Sequence, residues 1–228
     1  MVKVIVCGTR CGATTYMTNF LTRLGLDATH EKGFCFGRGR GAAKLSDCGM
    51  FEVAWRTSYQ CPQDIDGITF FNLTREPLTQ MRSWLRATRD NGPFDEPNTI
   101  RYHASIYGEG FEEFHRLKKP ADKALYNWVF QQKSNEALSK GKQFRIETLC
   151  VEDINLLLKA ADMPEITMKE FELCRSEDDP KNYANTRQDR WPISPLDWSS
   201  SFEPGERLEY AMDAARRFGY RTGDDHGY

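Results

Sequence analysis

The opening stretch of the chain constrains its fold most. Residues 2–7 form an apolar, β-branched run, interrupted only by Lys3, that stops at Gly8. It reads as a strand, and its lack of alternation suits a central parallel strand covered on both faces. The loop Gly8-Thr9-Arg10-Cys11-Gly12-Ala13 follows. Residues 14–24 then carry Tyr16, Met17, Phe20, Leu21 and Leu24 at helical spacing, and Gly25 stops the helix. A strand, a glycine-containing loop and a helix, in that order, open an α/β domain.

The rest of the sequence continues that alternation. Residues 27–31 predict a short strand, 33–49 an irregular Gly- and Arg-rich excursion, and 67–74 the clearest second strand. A helix is expected from Pro77 to about Arg89, since proline's missing N–H costs nothing in a first turn. A long loop at 91–97, a helix within 119–140, a third strand at 143–149, helices at 151–161, 168–174 and 204–218, and a polar loop at 178–198 complete the reading. Strands alternating with helices predict one α/β domain over residues 1–228, with three layers and a central, mainly parallel sheet flanked by helices.

Composition narrows the function. Lys plus Arg is 31 against 33 for Asp plus Glu, a net charge of −2, which argues against a nucleic-acid binder at the level of total charge. No apolar run approaches the ~20 residues of a membrane span. The seven cysteines are odd in number and scattered, and the N-terminal apolar stretch is too short for a signal peptide. These features predict free thiols and a cytoplasmic chain. Cys7 and Cys11 are the one close cysteine pair, with no CxxC or HxxxH beside them, so structural zinc is a poor fit. Asn72-Leu73-Thr74 matches the glycosylation pattern but lies inside an expected buried strand.

The first loop can hold an anion. A helix that starts after a buried strand presents its first N–H groups and the positive end of its dipole. Gly8 and Gly12 let the backbone approach, Thr14 and Thr15 add hydroxyls, Thr9, Cys11 and Ala13 contribute backbone, and Arg10 adds a permanent cation. A nucleoside-triphosphate loop would carry Lys directly after the second glycine, where Ala13 stands, and the 67–74 strand ends at Arg75 rather than in a metal-binding Asp. A second cluster begins there. Arg75 stands at a strand's carboxyl end, where ligands gather in open parallel sheets, and Ser83 lies about two turns into the next helix.

Taken together, Arg10-Cys11-Gly12-Ala13-Thr14 and Arg75-Glu76-Pro77 with Ser83 resemble the sulfotransferase superfamily, which has a P-loop-like fold and uses 3′-phosphoadenosine 5′-phosphosulfate (PAPS). The first motif resembles the family's 5′-phosphosulfate loop, with Ala13 in place of the usual first Thr, and the second its 3′-phosphate site. Residues 24–31 and 145–149 are similar to the bacterial and tyrosylprotein-type branches, which also carry Arg where cytosolic small-molecule members have Lys. The resemblance covers about the first ninety residues well and the rest loosely. The cytosolic branch's C-terminal cofactor loop has no clear match; residues 182–187 are the substitute, with Arg187 directed at the 3′-phosphate.

The resemblance implies transfer of a sulfuryl group from PAPS to a hydroxyl or amine, leaving the product PAP, with no metal required. Arg10, loop amides and Thr14 would neutralise the leaving phosphate. Glu31 is the expected general base, because the tyrosylprotein branch has a Glu at the matching place, and His30 is second. The acceptor, a small molecule, carbohydrate or peptide, is not specified by the sequence. Residues 34–41 form a candidate lid whose Arg38 and Arg40 could meet an anionic acceptor, and Trp55, Trp84, Tyr102, Tyr107 and Trp128 could line a pocket or fill the core. His103 and His115 are read as packing or surface residues. The competing readings are a P-loop kinase or NTPase and a non-catalytic nucleotide-binding module.

Overall fold

A computed structural model describes residues 1–34, 43–61, 65–89, 94, 96–176 and 196–223. Its sheet has five strands, β1 (Val4–Gly8), β2 (Ala28–His30), β3 (Phe51–Ala54), β4 (Thr69–Thr74) and β5 (Gln143–Arg145), in the order β2-β3-β1-β4-β5. Every pairing is parallel. β1 is the central strand and is buried along its whole length, as its unbroken apolar run requires.

Nine α-helices are present among the described residues: α1 (Thr14–Arg23), α2 (Thr57–Gln60), α3 (Pro77–Arg89), α4 (Pro97–Tyr107), α5 (Phe111–Arg116), α6 (Pro120–Ser139), α7 (Val151–Ala160), α8 (Met168–Ser176) and α9 (Glu206–Arg217). One face of the sheet presents Val4, Val6, Phe51, Val53, Phe71 and Leu73, which pack with Met17, Phe20 and Leu21 of α1, Ile154, Leu157 and Leu158 of α7 and Phe171 of α8. The other face meets α6, which packs in turn against α2, α3 and α9. These are the expected three layers.

Five elements differ from the sequence reading, one being α2 at residues 57–60, which it left out. β3 was not expected. Its run Phe51-Glu52-Val53-Ala54 carries a carboxylate, yet Glu52 is fully buried, with its Oε2 accepting from the Thr29 hydroxyl. α4 and α5 were also unforeseen. Pro97 starts α4 at its first turn, the same device as Pro77 in α3. The third strand is shorter than expected: β5 ends at Arg145, and residues 146–148 form a 3₁₀ turn. β5 lies at the edge and pairs only with β4, which ends at Thr74 opposite Arg145. Beyond that register no further ladder pair is present among the described residues.

Asn72 is fully buried on β4, so the Asn-Leu-Thr pattern is inaccessible. The six described cysteines are free thiols. Among the described residues, no helix is long and apolar enough to cross a membrane.

Candidate functional site

The site forms at the carboxyl end of β1, between the ends of β3 and β4. The chain leaves β1 at Gly8 and turns through residues 9–13 into α1. Cys11 and Ala13 both sit in the left-handed region, at φ 66° and 67°. Alternate residues of positive φ curl the backbone, a pattern by which loops present N–H groups to an anion, although the Gly12 N–H stays within the turn on the Thr9 carbonyl. Left-handed φ at non-glycine residues is strained, a cost that tends to collect at binding loops. Gly12 needs no side chain for a different reason. A Cβ there would lie 2.6 Å from the Thr9 carbonyl oxygen and 2.8 Å from Gln80 Nε2.

α1 starts without help from its own sequence. Its N-cap residue, Ala13, makes no side-chain cap, and its first turn holds no acid. α7 differs, since Asp153 folds back to the Cys150 N–H. α3 differs as well: Glu76 accepts from the Leu78 and Thr79 amides at 3.0 and 2.6 Å. The head of α1, like that of α4, has neither a side-chain cap nor a first-turn acid to meet its N–H groups. Gly8 and Gly12 are buried, Thr9 and Thr14 are nearly so, and Thr15 faces solvent at the first turn.

The two motifs meet. With Glu76 committed to capping α3, Arg75 turns to the loop and donates from a terminal guanidinium nitrogen to the Cys11 carbonyl at 3.0 Å. Burial pushes the Cys11 thiol up, while the nearby charges of Arg10 and Arg75 pull the other way. Ser83 sits on the same helix as expected, but its hydroxyl donates to the Thr79 carbonyl at 2.9 Å, and among the described residues no hydrogen bond joins it to Arg75. Arg187 and the candidate lid beyond Phe34, including Arg38 and Arg40, lie outside the described residues.

The second wall comes from β2 and β3. His30 Nε2 lies 3.1 Å from Thr14 Oγ1, so the end of β2 reaches the loop as expected. Burial, followed by the charge of Arg56, pushes the His30 pKa down, which favours the neutral imidazole. Glu31 follows at φ 59°. Its carboxylate accepts from the Trp55 N–H at 2.5 Å and from Arg56 at 2.8 Å, and Arg56 also donates to the Phe34 carbonyl at 2.8 Å. Burial pushes the Glu31 carboxyl up to about 7, although Arg56 and the Trp55 amide pull the other way.

The Arg10 guanidinium lies 5.4 Å from the Trp55 ring centre and 5.9 Å from that of Tyr102, and Arg56 lies 4.7 Å from Trp55 on its own account. Tyr102 senses the charges of Arg10, Arg56 and Glu31, so the three share one neighbourhood. Of the aromatic candidates, Trp55 and Tyr102 reach Arg10, although Trp55 belongs to the same buried helical core as Trp84, Tyr107 and Trp128, and Tyr102 packs against it. His103 is also buried there, against Phe114 and Tyr107, and burial pushes its pKa down to about 3. Sequence reading missed Arg56 because the strand that delivers it was missed. Among the described residues, no group of three His, Cys, Asp or Glu could hold a metal ion.

Among solved structures, the mouse sulfotransferase SULT7A1, crystallised with PAP, aligns with 98% of this chain and 85% of its own at a TM-score of 0.52 and 12% identity. This chain has a sulfotransferase fold. A sulfotransferase from Alicyclobacillus acidocaldarius aligns over 97% of each chain at a TM-score of 0.43 and 10% identity. No family profile and no curated protein sequence matches the chain.

Proposed function

We propose that the chain is a sulfotransferase that takes its sulfuryl group from PAPS. One observation carries the reading: Arg75 reaches the Cys11 carbonyl at 3.0 Å across 64 residues of sequence. That contact unites the two motifs that resemble the two phosphate sites of the donor. The uncapped start of α1 and the sulfotransferase fold support it.

In this reading, the amides at the head of α1, with Thr14 and Arg10, hold the 5′-phosphosulfate, and Arg75, with Ser83 and Arg187, holds the 3′-phosphate. Ser83 would have to turn its hydroxyl from Thr79. PAPS supplies the sulfuryl group. The acceptor oxygen or nitrogen forms the new bond to sulfur while its proton passes to a base of the protein. The sulfur–oxygen bond to the phosphate breaks, and the electron pair stays on that phosphate, where Arg10 and the loop amides neutralise it. Glu31 is the proposed base. Its carboxyl, raised to about 7, accepts a proton more readily than an ordinary carboxylate near neutral pH. His30 is the second candidate, favoured by its contact with Thr14. The acceptor is a hydroxyl or amine of a small molecule, carbohydrate or peptide, and the cytoplasm is the proposed compartment.

Thermal unfolding tests the donor assignment. PAP should raise the Tm, and EDTA should leave that rise intact. No shift with PAP, together with a magnesium-dependent shift with ATP, would overturn it in favour of a kinase or NTPase.

A further inference from the structure

Arg10 is held from behind. Its amide N–H donates to Gln131 Oε1 at 2.7 Å, and its carbonyl accepts from Gln80 Nε2 at 3.2 Å. Both glutamines are buried, Gln80 on α3 and Gln131 on α6. Each is fixed in turn. The Trp128 indole N–H donates to Gln80 Oε1 at 3.1 Å. Gln131 Nε2 donates to Asn127 Oδ1 at 3.3 Å, and the Tyr107 hydroxyl donates to the same oxygen at 2.9 Å.

The polarity of this chain permits one arrangement. An indole N–H and a backbone N–H can only donate, and a backbone carbonyl can only accept. Gln80 must therefore turn its oxygen to Trp128 and its nitrogen to Arg10. Gln131 must turn its oxygen to the Arg10 amide. A reversed amide in either position would leave buried polar groups unmet, at a cost larger than the value of the bond itself.

The clamp decides which loop amides remain for an anion. The Arg10 N–H is spent on Gln131 and the Gly12 N–H on the Thr9 carbonyl at 2.8 Å. The amides of Cys11, Ala13, Thr14 and Thr15 stay outside these bonds. Gln80 also fills the space that a side chain at position 12 would need. Because α3 follows directly from Arg75, the same helix that orders the second motif holds the carbonyl of Arg10 in the first.

We infer that Gln80 and Gln131 are positioning residues for the donor loop: by clamping both peptide groups of Arg10 from the core side, they turn the remaining amides and the Arg10 side chain outward to the ligand. The inference rests on the PAPS reading for the ligand but not for the clamp, and the two are tested apart. Amide hydrogen exchange of the ligand-free wild type reads the clamp alone. Arg10 and Gly12 should exchange slowly and Cys11 and Ala13 quickly; rapid exchange at Arg10 overturns the inference.

Calorimetric titration with PAP then reads its consequence. Gln131→Leu should weaken PAP binding about tenfold or more, because the Arg10 N–H then has no acceptor and the loop is free to turn. Gln80→Leu should weaken it similarly and serves if Gln131→Leu does not fold. A folded Gln131→Leu or Gln80→Leu protein with wild-type affinity overturns the positioning role, since a purely structural glutamine would lower Tm alone. Failure of the wild type to bind PAP sinks the donor reading instead, and the exchange pattern still decides the clamp.

Discussion

Replacing Glu31 by Gln isolates the cost of keeping a carboxylate at the heart of the site. Burial raises this group from 4.5 to about 7, and its side chain is only 10% exposed. An acid displaced that far holds its proton about 3 kcal/mol more tightly in the folded chain than in the unfolded one. Its folded pKa is raised, so its contribution to stability is present in full below pH 4.5 and is lost as pH rises to about 7, because only the folded state keeps the proton between those values. Urea unfolding of wild type and Glu31→Gln at pH 5 and pH 8 measures it. The wild type should lose about 2 to 3 kcal/mol more than the variant across that interval, because glutamine has no proton to release. Parallel curves, agreeing within about 0.5 kcal/mol, would show that Glu31 titrates like a surface carboxylate and would remove the basis for its role as base.

Three further outcomes follow from the same geometry. Arg56→Gln removes the cation 2.8 Å from Glu31, so the pH at which wild-type stability falls should move upward; an unmoved midpoint would show that Arg56 does not hold the carboxylate. Arg75→Ala should weaken PAP binding by ~1.5–3 kcal/mol, roughly tenfold or more, the range of a charge-assisted hydrogen bond; unchanged affinity in calorimetry would take Arg75 out of the site. Gly12→Ala places a methyl group 2.6 Å from the Thr9 carbonyl oxygen, so the backbone must move and the thermal shift with PAP should shrink sharply; a wild-type shift would mean that the loop bends at no cost to the ligand.

The sequence made the centre of the molecule legible and its periphery less so. β1, its loop and α1 carry strong local signals, namely a β-branched run, paired glycines and helical spacing, and all three formed where expected. β3 hid because Glu52 breaks an apolar run of only four residues, and the bond that makes burial of Glu52 tolerable comes from Thr29, twenty-three residues away. With β3 went Arg56, the ion-pair partner of Glu31. Gln80 and Gln131 gave no signal, because a glutamine in a helix ordinarily faces water and only the folded arrangement shows these two buried behind Arg10. The pairing of Arg75 with the first loop was legible as a resemblance, but the contact itself depends on β1 and β4 being neighbours.

The bare head of α1 has a practical consequence. If the loop amides hold the donor, they are offered to any small oxyanion, so phosphate or sulfate in a buffer should act as a competitor. Nucleotide affinities measured in such salts would then understate the grip of the loop, and a preparation called empty would carry a guest from its own medium.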